Sequence, residues 1–191
     1  MKALAINGSS RAEGNTNLLI KKVFAVLKQE GVEIEIVSLA GEVLSGCVGC
    51  HKCMEAKNGK CAIVSDKMNQ YIDAIRQADV VLLGSPTYFA DVSANMKALI
   101  ERAGMVARAN NNFYKHKIGA SVVAVRRAGA IHAFDTLNNF FLISEMIIVG
   151  SSYWNIGTGR TPGEVLEDEE GMKTMDALGQ NIVWLLKKLQ K

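Results

Sequence analysis

All four cysteines of this 191-residue chain lie in one short run, GCVGCHKCMEAKNGKC, spaced Cys47-x2-Cys50-x2-Cys53-x7-Cys61. Thiolates are soft ligands suited to zinc and to iron–sulfur clusters, and their other chemistry is redox exchange. Three sulfurs at successive three-residue intervals can point into one small pocket, as a cubane cluster requires, with a fourth ligand from further along. The ferredoxin run C-x2-C-x2-C-x3-C-P is not met, because the last gap is longer and no proline follows. Zinc sites more often use two separated Cys-x2-Cys pairs. Disulfides are disfavoured in a reducing compartment. Spacing alone therefore leaves a cluster, a zinc site and a metal-free loop open. His51, inside the run, reads as a polar loop residue, with a spare ligand or a donor to sulfur as the alternative.

Three further segments carry groups suited to ligand binding. NGSSRAEGNTN offers Ser9, Ser10, Arg11, Asn15, Thr16 and Asn17 just before a helix start. Hydroxyls, amides, one guanidinium and exposed backbone N–H groups at a helix N-terminus suit a compact terminal monophosphate. Neither the triphosphatase loop nor the Gly-x-Gly-x-x-Gly fingerprint is present. The same residue types also cap ordinary helices, which is the plainer alternative. In GSPTYFADVSANM, Pro86 stops a strand and leaves Thr87, Tyr88 and Phe89 to cover a planar heteroaromatic ring; core or interface aromatics would look the same. In VAVRRAGAIHA, Arg126 and Arg127 precede Gly129, and a cation there would stabilise a flavin that has gained electrons. A merely solvated arginine pair is the alternative.

These segments must be positioned by the elements that flank them. Strands are expected at 2–7, 33–38, 80–85, 118–126 and 146–150, and helices at 15–30, 66–77, 94–108, 131–144 and 166–188. Leu4–Ile6, Val80–Leu83 and Val122–Val125 are nearly continuous in apolar residues, as strands covered on both faces should be. Alternating strands and helices with right-handed crossovers predict a single-domain, doubly wound α/β fold: a five-stranded parallel sheet in three layers, spanning 1–191, with a cysteine-rich insertion at 46–61. Ligands bind such sheets at the carboxyl ends of the strands, where all three segments above fall. The net charge of +3 gives no reason to expect nucleic acid. Lys187, Lys188 and Lys191 close the last helix, where cations suit its dipole. No apolar run reaches the length of a membrane span, and MKALAING lacks the apolar core of a signal peptide, so a cytoplasmic protein is expected. His51, His116 and His132 are scattered, with no acid–base triad among them.

With those loops in place, NGSSRAEGNTN, ADVVLLGSPTYF and the following ANMKALIERAG resemble the flavodoxin-like NADPH-dependent FMN reductase superfamily over roughly residues 1–150. The resemblance implies FMN, with its phosphate on Ser9, Arg11, Asn15, Thr16 and Asn17 and its ring along Pro86, Thr87, Tyr88 and Phe89. It also implies a flavin-lining loop at Val125, Arg126, Arg127 and Gly129, although the glycine-rich signature common there is reduced to RRAGA. Within that superfamily the cysteine run is similar to that of the iron–sulfur flavoproteins. This implies a [4Fe–4S] cluster on Cys47, Cys50, Cys53 and Cys61 coupled to FMN, with NAD(P)H or a ferredoxin-like protein as donor. It further implies a homodimer or homotetramer, with Trp154 and the SSYWN segment serving a neighbour. A cluster-free NAD(P)H-dependent FMN or quinone reductase acting on a small redox substrate, and a flavodoxin-like electron carrier, are the rival readings.

Overall fold

Three strands are apolar along their length because helices cover both of their faces. In the computed structural model, which describes residues 1–189, these are β1 (Lys2–Asn7), β3 (Val80–Pro86) and β4 (Ile118–Val125). Lys191 lies outside the described residues. Side chains alternate across the sheet. Leu4, Ile6, Val81, Leu83, Val123 and Val125 enter one core with α3 (Met68–Gln77), α4 (Ala94–Ala109) and α5 (Ala130–Ile143). Ala3, Ala5, Val80, Leu82, Ile118, Ala120 and Val122 enter a second core with α1 (Asn15–Gln29) and α6 (Glu169–Leu189). Two cores on the two faces of one sheet make the three layers expected.

All pairings between named strands are parallel, in the order β2–β1–β3–β4–β5, with β2 spanning Glu33–Ser38 and β5 only Ile147–Ile148. The fifth position differs from expectation: it holds two short strands, β5 and β6 (Ile156–Thr158), both pairing β4. Ile118 pairs Ile147, an offset of 29, whereas Val123 pairs Ile156, an offset of 33, so four extra residues break the strand. The excess leaves as a loop carrying exposed Tyr153 and Trp154, whose rings meet edge to face. The last helix starts later than its apolar pattern suggests, at Glu169, after a 3-10 turn at Glu164–Glu167. Asp168 ends that turn: its carboxylate accepts from Gly171 N at 2.9 Å and from Thr158 N at 2.7 Å, tying β6 to α6.

The cysteine run follows β2 and is largely irregular, apart from the five-residue helix α2 (Lys52–Ala56). It packs on α4. That helix is capped by Ser93, whose hydroxyl accepts from Met96 N and donates to Gly8 O at 2.6 Å. Asn95 Nδ2 donates to Leu39 O and Glu42 O, at 3.1 and 2.9 Å, so one helix touches both the loop after β1 and the approach to the cysteines.

Candidate functional site

The loop after β1 is shaped by its own side chains. Buried Asn7 is central: its Nδ2 donates to Ala12 O at 3.1 Å, and its Oδ1 accepts from Ser9 N at 3.0 Å. Ser9 Oγ in turn accepts from Arg11 N at 3.1 Å. The chain then enters α1 through Gly14, an N-cap with no side chain to offer, so no side chain caps the first turn, although Asn17 N donates to Gly14 O at 3.0 Å. Gly14, Asn15 and Thr16 line a cavity of about 130 Å³ together with Ser9 and Arg11.

Pro86, Thr87, Tyr88, Ala124, Val125 and Arg126 form the opposite wall. Tyr88 Oη and Ser10 Oγ meet at 2.8 Å, closing one side of the mouth. Thr87 is held by its backbone to Ala124 O at 2.9 Å, yet its Oγ1 is buried without a partner. Buried hydroxyls are normally satisfied, so this oxygen marks where a bound molecule would donate or accept. Gly159 and Arg160 complete the cavity, and with Arg11 and Arg126 they give it three guanidinium groups and no carboxylate. Such a lining attracts an anion.

The cavity gathers Ser9, Arg11, Asn15, Thr16, Pro86, Thr87, Tyr88, Val125 and Arg126 from the residues expected. Asn17, Phe89, Arg127 and Gly129 do not line it. Asn17 points at Glu13, to which its Nδ2 donates at 2.9 Å. Phe89 and Ala90, at φ 47° and 64°, are the two central residues of a tight turn between Tyr88 and Asp91, and this turn holds Phe89 fully exposed. Gly129, at φ 85°, serves the same corner: a Cβ there would stand 3.3 Å from Ala90. Arg127 is exposed. Sequence reasoning missed Gly159 and Arg160, which arrive from β6. Asn15 fixes them, its Nδ2 donating to Thr161 O at 3.0 Å and its Oδ1 accepting from Gly163 N at 2.9 Å. The available signal was the closely spaced glycine pair in NIGTGR. A Cβ on Gly157 would meet Leu19 at 2.6 Å, and one on Gly159 would meet Val165 N at 2.6 Å.

The four cysteines are free of disulfides and line one small cavity of about 20 Å³, also bounded by Arg102. Cys47 and Cys50 are exposed, Cys53 is buried on α2 and Cys61 is half-buried. Cys47 N donates to Glu101 Oε2 at 3.2 Å. Cys61 is the best anchored: its N donates to Asn69 Oδ1 at 2.8 Å, its O accepts from Asn69 Nδ2 at 3.0 Å, and its Sγ accepts from Arg102 Nε at 3.3 Å. Burial pushes the Cys53 thiol up from its ordinary value, which favours the protonated form until a metal displaces the proton. Among the described residues, no three His, Cys, Asp or Glu side chains stand close enough to hold one ion. The donor chemistry fits an iron–sulfur cluster, in which each thiolate takes an iron of its own and need not share one ion with the others. His51 sits at φ 56° at the start of α2 and lines the same cavity.

A family model described as NADPH-dependent FMN reductase matches residues 1–161. The chain belongs to that family. It is 36% identical, over the full length of both chains, to an iron–sulfur flavoprotein of Methanocaldococcus jannaschii. It is 28% identical to the iron–sulfur flavoprotein of Methanosarcina thermophila, covering 100% of this chain and 98% of that one. The fold is similar to a structure of RosB with bound 8-demethyl-8-formylriboflavin-5'-phosphate, with a TM-score of 0.72 at 20% identity, covering 100% of this chain and 80% of that one. Membership of this family makes the protein an FMN-dependent oxidoreductase. The cationic cavity with its unpartnered Thr87 hydroxyl fits that flavin. Among the described residues no helix is long and apolar enough to cross a membrane.

Proposed function

We propose that the protein is an electron-transferring iron–sulfur flavoprotein, in which Cys47, Cys50, Cys53 and Cys61 hold a [4Fe–4S] cluster and the cavity at the ends of β1, β3 and β4 holds FMN. One observation carries the reading: four free thiols share a single cavity against α4, in a chain whose curated relatives are named iron–sulfur flavoproteins. FMN exchanges one or two electrons and the cluster one, so together they convert between two-electron and one-electron partners.

The chain supplies binding and electrostatics. The first turn of α1 and Arg11 grip the phosphate, and Arg160, brought by β6, closes that end. Pro86 to Tyr88 flank the ring, while Arg126 at the end of β4 offsets the negative charge that reduction brings. Asn17, Phe89, Arg127 and Gly129 support this frame from outside the cavity. The protein works in the cytoplasm as a homodimer or homotetramer, with the exposed Tyr153–Trp154 pair facing a second copy.

The test is iron, acid-labile sulfide and flavin content after anaerobic purification. One FMN with about four irons and four sulfides per chain is expected. FMN without iron and sulfide would overturn the cluster and leave the second reading, a cluster-free NAD(P)H-dependent FMN reductase. That reading is favoured by the description of the matching family model, NADPH-dependent FMN reductase. Reduction by NAD(P)H against reduction by a ferredoxin-like donor then separates enzyme from carrier.

A further inference from the structure

Arg102 is charged and lies in the middle of α4, yet only 1% of it is exposed. Each arm of its guanidinium is used. Nη1 donates to Ser45 O at 3.2 Å and pairs with Asp66; Nη2 donates to Ile63 O at 2.9 Å; Nε donates to Cys61 Sγ at 3.3 Å. Ser45 precedes the first cysteine, and Ile63 and Asp66 follow the last, so one side chain joins both ends of the cysteine segment. A buried ion pair needs only Asp66 to satisfy its charge; the spread of the fork onto Ser45, Ile63 and a sulfur is additional. A neutral thiol is a weak acceptor, whereas a thiolate bonded to a cationic donor makes a strong, charge-assisted contact.

We propose that Arg102 is the positioning residue of the cysteine segment: it clasps the two ends of the loop onto α4 and donates to the Cys61 sulfur, fixing the fourth ligand and favouring the reduced, more negative state of the cluster. This rests on the cluster reading above for its redox half only; the clasp is a property of the chain. Hydrogen bonds and positive charge at cluster sulfurs raise the reduction potential, and the planar fork that reaches three segments at once cannot be reproduced by a lysine.

The experiment compares wild type with Arg102→Lys and Arg102→Met, each checked for unchanged FMN content. In anaerobically purified protein, the cluster's midpoint potential is read by EPR-monitored titration. Both variants are expected to shift the reduced-to-oxidised ratio at fixed potential about tenfold toward oxidised, ~59 mV for a one-electron couple, with the FMN potential unmoved. After chelation of the metal, trypsin cleavage at the exposed Lys57 and Lys60 is expected to be at least tenfold faster in Arg102→Met. Unchanged cleavage overturns the clasp, and an unchanged cluster potential overturns the sulfur contact. If neither variant folds, wild type labelled with 15N-arginine decides: pulsed EPR of the reduced cluster is expected to detect a guanidinium nitrogen coupling, and its absence overturns the contact. FMN-loaded protein without iron would instead defeat the cluster reading and the redox half with it, while the trypsin comparison still judges the clasp.

Discussion

The cavity at the ends of β1, β3 and β4 and the cysteine cavity against α4 are built in opposite ways. The first is made before any ligand arrives. Asn7, Ser9 and Arg11 hydrogen-bond within a single loop, Asn15 locks the chain after β6 against α1, and Ser93 ties Gly8 to α4. Its polar groups are aimed by their neighbours, so ordering them costs little at the moment of binding. The second is a loop whose thiols share a cavity without reaching a common point, and which depends on α4 for its shape. The difference teaches that a site for an organic phosphate gains most from being prepared, whereas the cluster proposed above would itself supply the free energy that shapes its loop.

The sharpest way to break this comparison is to remove a thiol. Cys50→Ser is expected to abolish iron and sulfide while leaving one FMN per chain, measured on the anaerobically purified variant; retained iron would remove Cys50 from the ligand set. A smaller effect is expected on the prepared side from Gly159→Ala. Its Cβ would stand 2.6 Å from Val165 N and 2.8 Å from Asn15 Nδ2, so the variant should lose about 1–3 kcal/mol of stability and bind FMN more weakly, with iron content unchanged. Thermal unfolding and flavin titration together check it. An intact flavin affinity would mean that the cradle is less preformed than its hydrogen bonds imply.

The smallest effect concerns acid. Burial, the largest influence on Asp91, would raise its carboxyl, but Val92 N–H, the Thr136 hydroxyl and nearby His132 together hold it below the usual carboxylate range. A depressed carboxylate contributes stability above its unfolded value of about 3.9, and that contribution is lost as pH falls through the native value. Asp91→Asn should therefore lower stability at neutral pH and flatten the fall below about pH 4, where the two proteins converge. Chemical denaturation across that range measures it, and an unaltered acid limb would show that the turn carrying Phe89 is not held by this carboxylate.

Much of the frame was legible in the amino-acid sequence. Strands β1, β3 and β4 announce themselves because burial on both faces demands unbroken apolar runs. The loop 7–17 was readable because its polar residues precede a helix that starts without a side-chain cap. Other parts were not legible, for physical reasons. Arg102 reads like any helical arginine, since only the tertiary fold reveals that its face of α4 is covered by the cysteine segment. Arg160 reaches the cavity through a register break in the fifth strand position, and pattern does not encode register. Phe89 looked like a ring-covering aromatic, but the turn that holds it out rests on positive φ at residues with no glycine to signal it. Cys61, furthest along the run, looked the least certain of the four by spacing; it is the one whose backbone and sulfur are both tied to neighbouring helices.

The four-residue break in the fifth strand position bears on colloidal behaviour as well. A long, flat outer strand presents an unpaired row of N–H and C=O groups on which another chain can build. Here that border is cut into pieces of two and three residues, with a loop standing between them. No foreign strand can run along it for more than a few residues, so on this side the sheet is protected from templated growth by its own interruption.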